Sequence, residues 1–101
     1  MSNYDAYGTV STATTTDESS CRGTVTLSAH LTSGSGTLTW QFKGIDGTWR
    51  SIYGGADGTT AQAFTASHMV NVLFGGDVRV RGSSSGGTWD WQVIGNYRRD
   101  A

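Results

Sequence analysis

From Gly23 onward the apolar residues fall on every second position. Val25, Leu27, Ala29 and Leu31 alternate with Thr24, Thr26, Ser28 and His30, and Leu38, Trp40 and Phe42 alternate with Thr37, Thr39, Gln41 and Lys43. A strand sends successive side chains to opposite faces, so a period of two predicts half-buried strands with one polar face. Asp46-Gly47 is a hairpin signal between Trp40-Gln41-Phe42 and the run Trp49 to Tyr53. Thr60 to Ala66 predicts a further strand. Val70, Val72 and Phe74 share a face, Gly75-Gly76-Asp77 is expected to turn the chain, and Val78 and Val80 then point inward while Arg79 and Arg81 point out. Trp89, Trp91 and Val93 share a last face opposite Asp90, Gln92 and Ile94. These runs predict an all-β fold: a single antiparallel β-sandwich, immunoglobulin-like in broad architecture, of seven to eight short strands. Leu27, Leu38, Trp40, Phe42, Val78 and Val80 are its expected core.

Six Gly-Thr dipeptides punctuate the chain, at Gly8, Gly23, Gly36, Gly47, Gly58 and Gly87. Gly tolerates positive φ in a turn and Thr suits the strand that follows, so each is expected to separate two strands. Helix signals are poor, with one Glu (Glu18) and one Lys (Lys43) in the chain. Residues 1–20 differ from the rest. They are polar and rich in Ser and Thr, so they are expected to form an N-terminal arm that either holds one strand near Tyr7 to Val10 or orders on a neighbour. Residues 21–101 are then the β-domain, ending in a short charged tail.

Composition narrows the function classes. A chain of 101 residues builds one modest core. Its net charge of -1 gives no surplus of Lys and Arg for phosphate neutralisation, so neither nucleic acid nor an anionic membrane is an expected partner. Cys21 is the only cysteine, which rules out an intrachain disulfide. Ser2-Asn3-Tyr4-Asp5 gives no secretion signal, so the chain is expected either to fold in a reducing compartment or to gain stability from assembly.

The chemistry-bearing residues are sparse. His30 lies on the polar face of a strand and His68 in a bend, and neither accompanies a Gly-x-Ser-x-Gly elbow, so no catalytic residues are expected and the protein is read as a non-enzyme. Cys21, His30 and His68 lack metal-ligand spacing. Asp46, Asp57 and Asp77 fall in Asp-Gly or Gly-Asp turns, where Asp bonds its own backbone; a surface calcium loop is the competing reading, and no metal or other cofactor is expected. The aromatic residues stand out. Trp40 reads as core. Trp49, Tyr53, Trp89 and Trp91 are either core residues or, if exposed, rings that stack on a sugar. Arg79 and Arg81 share a face, either solvated or paired with Asp90 or an acidic neighbour. With Tyr4, Tyr7, Tyr97, Arg98 and Arg99 they form the candidate partner contacts.

Gly23-Thr24-Val25-Thr26-Leu27, Gly36-Thr37-Leu38-Thr39-Trp40-Gln41-Phe42, Asp46-Gly47-Thr48-Trp49 and Val78-Arg79-Val80-Arg81-Gly82 together resemble small β-sandwich virion proteins of tailed bacteriophages. The resemblance covers about residues 23–95. It implies a non-enzymatic structural subunit in the virion, made in the host cytoplasm and not secreted. Capsid decoration (cement) on the capsid exterior is the leading role, and a tail or fibre subunit, or a carbohydrate-binding module, the alternative. The implied partners are a major capsid protein or tail proteins and further copies of the chain.

Overall fold

The computed structural model describes residues 4–54 and 60–95. Nine antiparallel strands follow one another: β1 (Tyr4–Ser11), β2 (Ser19–Ser33), β3 (Leu38–Lys43), β4 (Trp49–Ser51), β5 (Tyr53–Gly54), β6 (Thr60–Ala61), β7 (Ala63–Phe64), β8 (His68–Ser84) and β9 (Thr88–Gly95). No helix occurs among the described residues. Seven strands make one sheet in the order β1-β9-β2-β8-β3-β4, with β7 also on β3, while β5 and β6 pair with each other. The fold is thus all-β and antiparallel, as the alternation predicts.

The long strands depart from expectation. Gly75-Gly76-Asp77 does not end a strand, and the two runs expected on either side of it are one 17-residue strand, β8. At a rise of about 3.3 Å per residue such a strand would span roughly 50 Å if straight. The longest dimension of the molecule is 37 Å, so β8 bends. The bend lies where the register with β2 shifts: Cys21 faces Val78 but Gly23 faces Phe74, so Gly75, Gly76 and Asp77 oppose Arg22 alone. This bulge adds two residues to β8, an even number, so the inward parity survives it. Val70, Val72 and Phe74 before the bulge and Val78 and Val80 after it all pack on the core. Gly23 takes φ +72 on the short side of the bulge, a conformation that L side chains rarely adopt. An exposed Arg22–Asp77 ion pair at 3.8 Å spans the distortion.

Beyond the bend β8 gains a second partner, while Val78, Arg79 and Val80 stay paired with β2. Residues 79–84 pair with β3, and the same end of β8 takes the chain leading into β2 on its other side. Thr16 N–H donates to the Gly82 carbonyl (2.9 Å), Ser84 N–H to the Thr14 carbonyl (2.8 Å), and Gly82 N–H to the buried Thr16 hydroxyl (3.0 Å). The strand expected near Tyr7 to Val10 is present as part of β1, and residues 14–16 bond to β8 of the same chain. β1 pairs with β9 along its whole length, Val10 is in the core, and β2 already begins at Ser19. The segment is polar because it supplies an edge and a seam, with few inward positions, and its backbone bonds go to the sheet.

The Gly-Thr dipeptides also need correction. Gly8 and Gly23 lie inside strands, and Gly58 falls outside the described residues. Gly36 is held by crowding instead: a Cβ there would collide with the Gly86 backbone, where the β2–β3 and β8–β9 connections cross. Gly47 does turn the chain as expected, with φ +80 in the β3–β4 hairpin. The strand expected over Thr60 to Ala66 is broken at Gln62. Its carbonyl accepts from Trp40 N–H (2.9 Å) and its N–H donates to the Ile52 carbonyl (2.9 Å), while Ile52 N–H donates to the Trp40 carbonyl (3.0 Å). Three chains meet at this junction, so β3 has β7 beside its start and β4 beside its end.

The core holds Val25, Leu27, Leu38, Trp40, Val80, Trp89, Trp91 and Val93, all nearly or fully buried; Phe42 and Val78 are half-buried against it. His68 closes one end. Its ring stacks on Phe64 (centroids 3.9 Å apart) and meets Trp40 and Trp89 edge to face. The Trp40 indole N–H donates to His68 Nε2 (2.8 Å), so the ring proton resides on Nδ1 and is donated to the Ala66 carbonyl (2.9 Å). Burial holds the His68 pKa below its ordinary value, against a smaller opposing effect of the Ala66 carbonyl.

Two outcomes follow. Trp40→Ala removes a fully buried ring and the partner of His68, and should cost about 3–5 kcal/mol in urea unfolding. The unfolded imidazole takes up its proton near pH 6.5 and the folded one only at lower pH. The unfolded chain therefore binds more protons between those values, and stability falls as pH drops through that window. Urea midpoints from pH 7.5 to 5 should decline for the native chain, and the decline should flatten in His68→Gln.

Candidate binding surfaces

Alternation and register gather two sets of outward residues. The first surrounds Trp49. Lys43 pairs with Trp49 on β4 and with Arg79 on β8, and Gln41 pairs with Arg81, so one parity brings all five to one face. The Arg81 guanidinium lies 4.1 Å from the Trp49 ring centroid and the Lys43 ammonium 5.4 Å away. Such contacts draw a cation to the negative face of the ring. Arg81 Nε also donates to Gln41 Oε1 (2.9 Å). Glu18 lies 3.4 Å from Arg79 and 3.8 Å from Lys43. The patch thus sets three cations against one carboxylate, and among the described residues no carboxylate pairs with Arg81. Beside it, Ser20, Lys43, Gly44, Ile45, Asp77, Val78 and Arg79 line a cleft of about 320 Å³, with Ile45 fully exposed at its rim.

The hairpin that carries Trp49 is braced locally. Asp46 accepts from Thr48 N–H (3.0 Å) and takes both Arg50 guanidinium nitrogens (2.8 and 3.1 Å). Those bonds hold its carboxyl well below the usual range. Its lone pairs are used within the turn, which leaves little for a cation.

The second set occupies the outer face of β1, β9 and β2. Tyr7, Gln92 and Ser28 form one row and Thr9, Asp90 and His30 the next. They line an open groove of about 590 Å³, and the Tyr7 ring is 77% exposed. Asp90 accepts from the Thr9 hydroxyl (2.8 Å), and Ser67 Oγ lies 2.8 Å from His30 Nδ1. Ser, His and Asp therefore neighbour one another. A hydrolase needs the carboxylate to orient the imidazole, whereas this carboxylate is bonded to Thr9 and Ser67 Oγ accepts from Leu31 N–H (2.9 Å). The arrangement suits polar recognition. Sequence reading missed this groove. Parity does put its residues on outer faces, but only the β1-β9-β2 order makes them neighbours.

The candidate residues sort as follows. Arg79 and Arg81 join Trp49, and Tyr7 lies in the groove. The expected pairing of the two arginines with Asp90 is corrected, because β2 separates β9 from β8. Tyr4 opens β1, with its side chain outside the described residues, as are Tyr97, Arg98 and Arg99. Of the four rings considered for sugar stacking, Trp89 and Trp91 are core, Trp49 is half-buried under Arg81, and Tyr53 is exposed.

Cys21 is buried, and desolvation pushes its thiol up to about 12. Among the described residues no three His, Cys, Asp or Glu side chains gather as a metal site. No protein family model matches the chain, and no characterised protein or solved structure shows significant similarity to it.

Since the thiolate is the reactive form, Cys21 should resist a thiol reagent such as DTNB at pH 8 in the folded chain. It should react at least about a hundredfold faster in denaturing urea, as followed by absorbance.

Proposed function

We propose that the chain is a non-enzymatic structural protein of a bacteriophage virion, a decoration subunit that attaches to the capsid exterior through its cationic Trp49 face. One observation carries the reading. The Asp46-Gly47-Thr48-Trp49 hairpin and the Val78-Arg79-Val80-Arg81-Gly82 strand, two of the stretches that resemble such proteins, meet in space, with Arg81 over Trp49. Trp and Arg are the residues that most often dominate protein interfaces. Arg81 and Lys43 over an indole, with Arg79 and a single carboxylate, Glu18, beside them and a cleft rimmed by the bare Ile45 side chain next to them, suit an acidic surface carrying an apolar residue. In this reading the bent sheet is a β-sandwich, immunoglobulin-like in broad architecture. β1, β9, β2 and the first half of β8 make one layer. The second half of β8, with β3, β4 and β7, makes the other.

The Tyr7 groove favours a second role, that of a tail or fibre subunit contacting saccharide. An exposed ring beside a carboxylate, an amide and an imidazole suits a sugar's mixed apolar and hydroxyl faces.

Mass spectrometry of virions purified from the genome that encodes the chain tests the proposal. The chain should be present in many copies, and its gene should neighbour capsid, portal or tail genes. Arg79→Ala with Arg81→Ala should weaken attachment to particles roughly tenfold or more, with a shallower salt dependence. Absence of the chain from particles overturns the reading.

A further inference from the structure

β8 has two edges, and over its first half only one is used. Residues 68–74 pair with β2, whereas pairing with β3 begins at Arg79. Among the described residues no strand is registered against the second edge of 68–78. A free edge presents a row of backbone N–H and C=O groups, and proteins ordinarily blunt it with Lys, Pro or a short length. This one runs for seven residues before the bulge, about 23 Å, and the stretch His68 to Gly76 contains no Lys, Arg, Asp, Glu or Pro. It is also apolar on both faces. Met69 and Leu73 are 69% and 75% exposed on the outer side, and Val70, Val72 and Phe74 are only partly covered on the inner side.

We infer that this edge is a homodimer interface in which β8 pairs antiparallel with β8 of a second copy, about a two-fold axis at Asn71. The unpaired backbone calls for a strand as occupant, and the sequence indicates which strand. Antiparallel pairing centred on Asn71 sets Met69 opposite the second copy's Leu73, and Leu73 opposite its Met69. The two most exposed apolar side chains of the edge thereby cover each other twice. Val70 meets Val72 in the same register on the inner face. Asn71 lies at the axis. Its Oδ1 accepts from Thr26 Oγ1 (2.7 Å) and keeps a second lone pair for the amide of the second copy's Asn71. β1, a terminal strand of the sheet among the described residues as the three-residue β4 also is, fits less well. It turns Tyr7, Thr9 and Ser11 outward, so a β8–β1 union would set Met69 and Leu73 beside polar neighbours and would propagate as an open chain. The two-fold pairing closes and continues β1-β9-β2-β8 into an eight-stranded sheet. It involves the half of β8 before the bulge, away from Arg79 and Arg81, and does not depend on the virion reading.

Sedimentation velocity of the full chain, from about 1 to 100 µM, is the test. The native chain should dimerise. Met69→Lys with Leu73→Lys sets like charges opposite each other in this register and should raise the dimer Kd at least about tenfold. Both sites are exposed, so the far-UV spectrum should not change, nor should the urea midpoint at a protein concentration low enough that both chains are monomeric. Met69→Lys with Leu73→Glu sets Lys opposite Glu in the same register and should restore dimerisation to within a few-fold of native. A native chain that stays monomeric overturns the inference, as does a dimer that tolerates the double Lys variant. Failure of the Lys/Glu variant to recover overturns the register, and growth into open polymers overturns the two-fold closure. Arg79→Ala with Arg81→Ala should leave the dimer intact, so this result and the particle-binding result fail separately.

Discussion

Three residues of β8, Gly75 to Asp77, face one residue of β2, Arg22, and the architecture depends on that inequality. Side chains alternate with period two, so an unmatched single residue would carry everything beyond it to the wrong face. Two extra residues bend the strand and leave the parity alone. Val80 therefore reaches the same core as Val70, although the two lie on opposite sides of the bend and only Val80 has β3 as well as β2 beside it. Without the bend β8 would be longer than the molecule.

Bending creates an enclosed interior, and three indoles fill much of it. Each has a buried or nearly buried ring with a polar N–H to place. Trp89 donates to the Gly86 carbonyl (3.0 Å) and Trp40 to His68, so the turn at Gly86 and the start of β8 are tied to the centre of the core. His68 has a double role. It stacks on Phe64 and accepts from the Trp40 indole, and it accepts only while neutral. The end of the core is therefore its most pH-sensitive point.

The same bend separates the surfaces. Before the bulge, β8 presents an uncharged edge, and the strands on its β2 side carry the Tyr7 groove. After it, β8 presents Arg79 and Arg81 to Trp49 and Lys43. One strand thus carries an apolar edge before the bend and a cationic face after it. Charge is placed economically: Glu18 lies between Arg79 and Lys43, leaving Arg81 with the indole and an amide.

Alternation alone determined the class of fold, the inward faces of β2, β3, β8 and β9, and the Asp46-Gly47 hairpin, because side-chain parity and turn chemistry are local properties. It also put Arg79 and Arg81 outside. It did not show that Gly75 to Asp77 bends a strand instead of ending it, since glycines serve a turn and a bulge equally well. Nor did it show that residues 4–20 belong to the sheet, since a polar edge strand and a disordered arm share a composition. Strand order lay beyond it as well. Only tertiary structure put β2 between β9 and β8, which parted Asp90 from the arginines and set it beside His30 and Thr9. Strand neighbours are chosen by the packing of the whole core and by the path of the bends, and no short stretch of sequence encodes either.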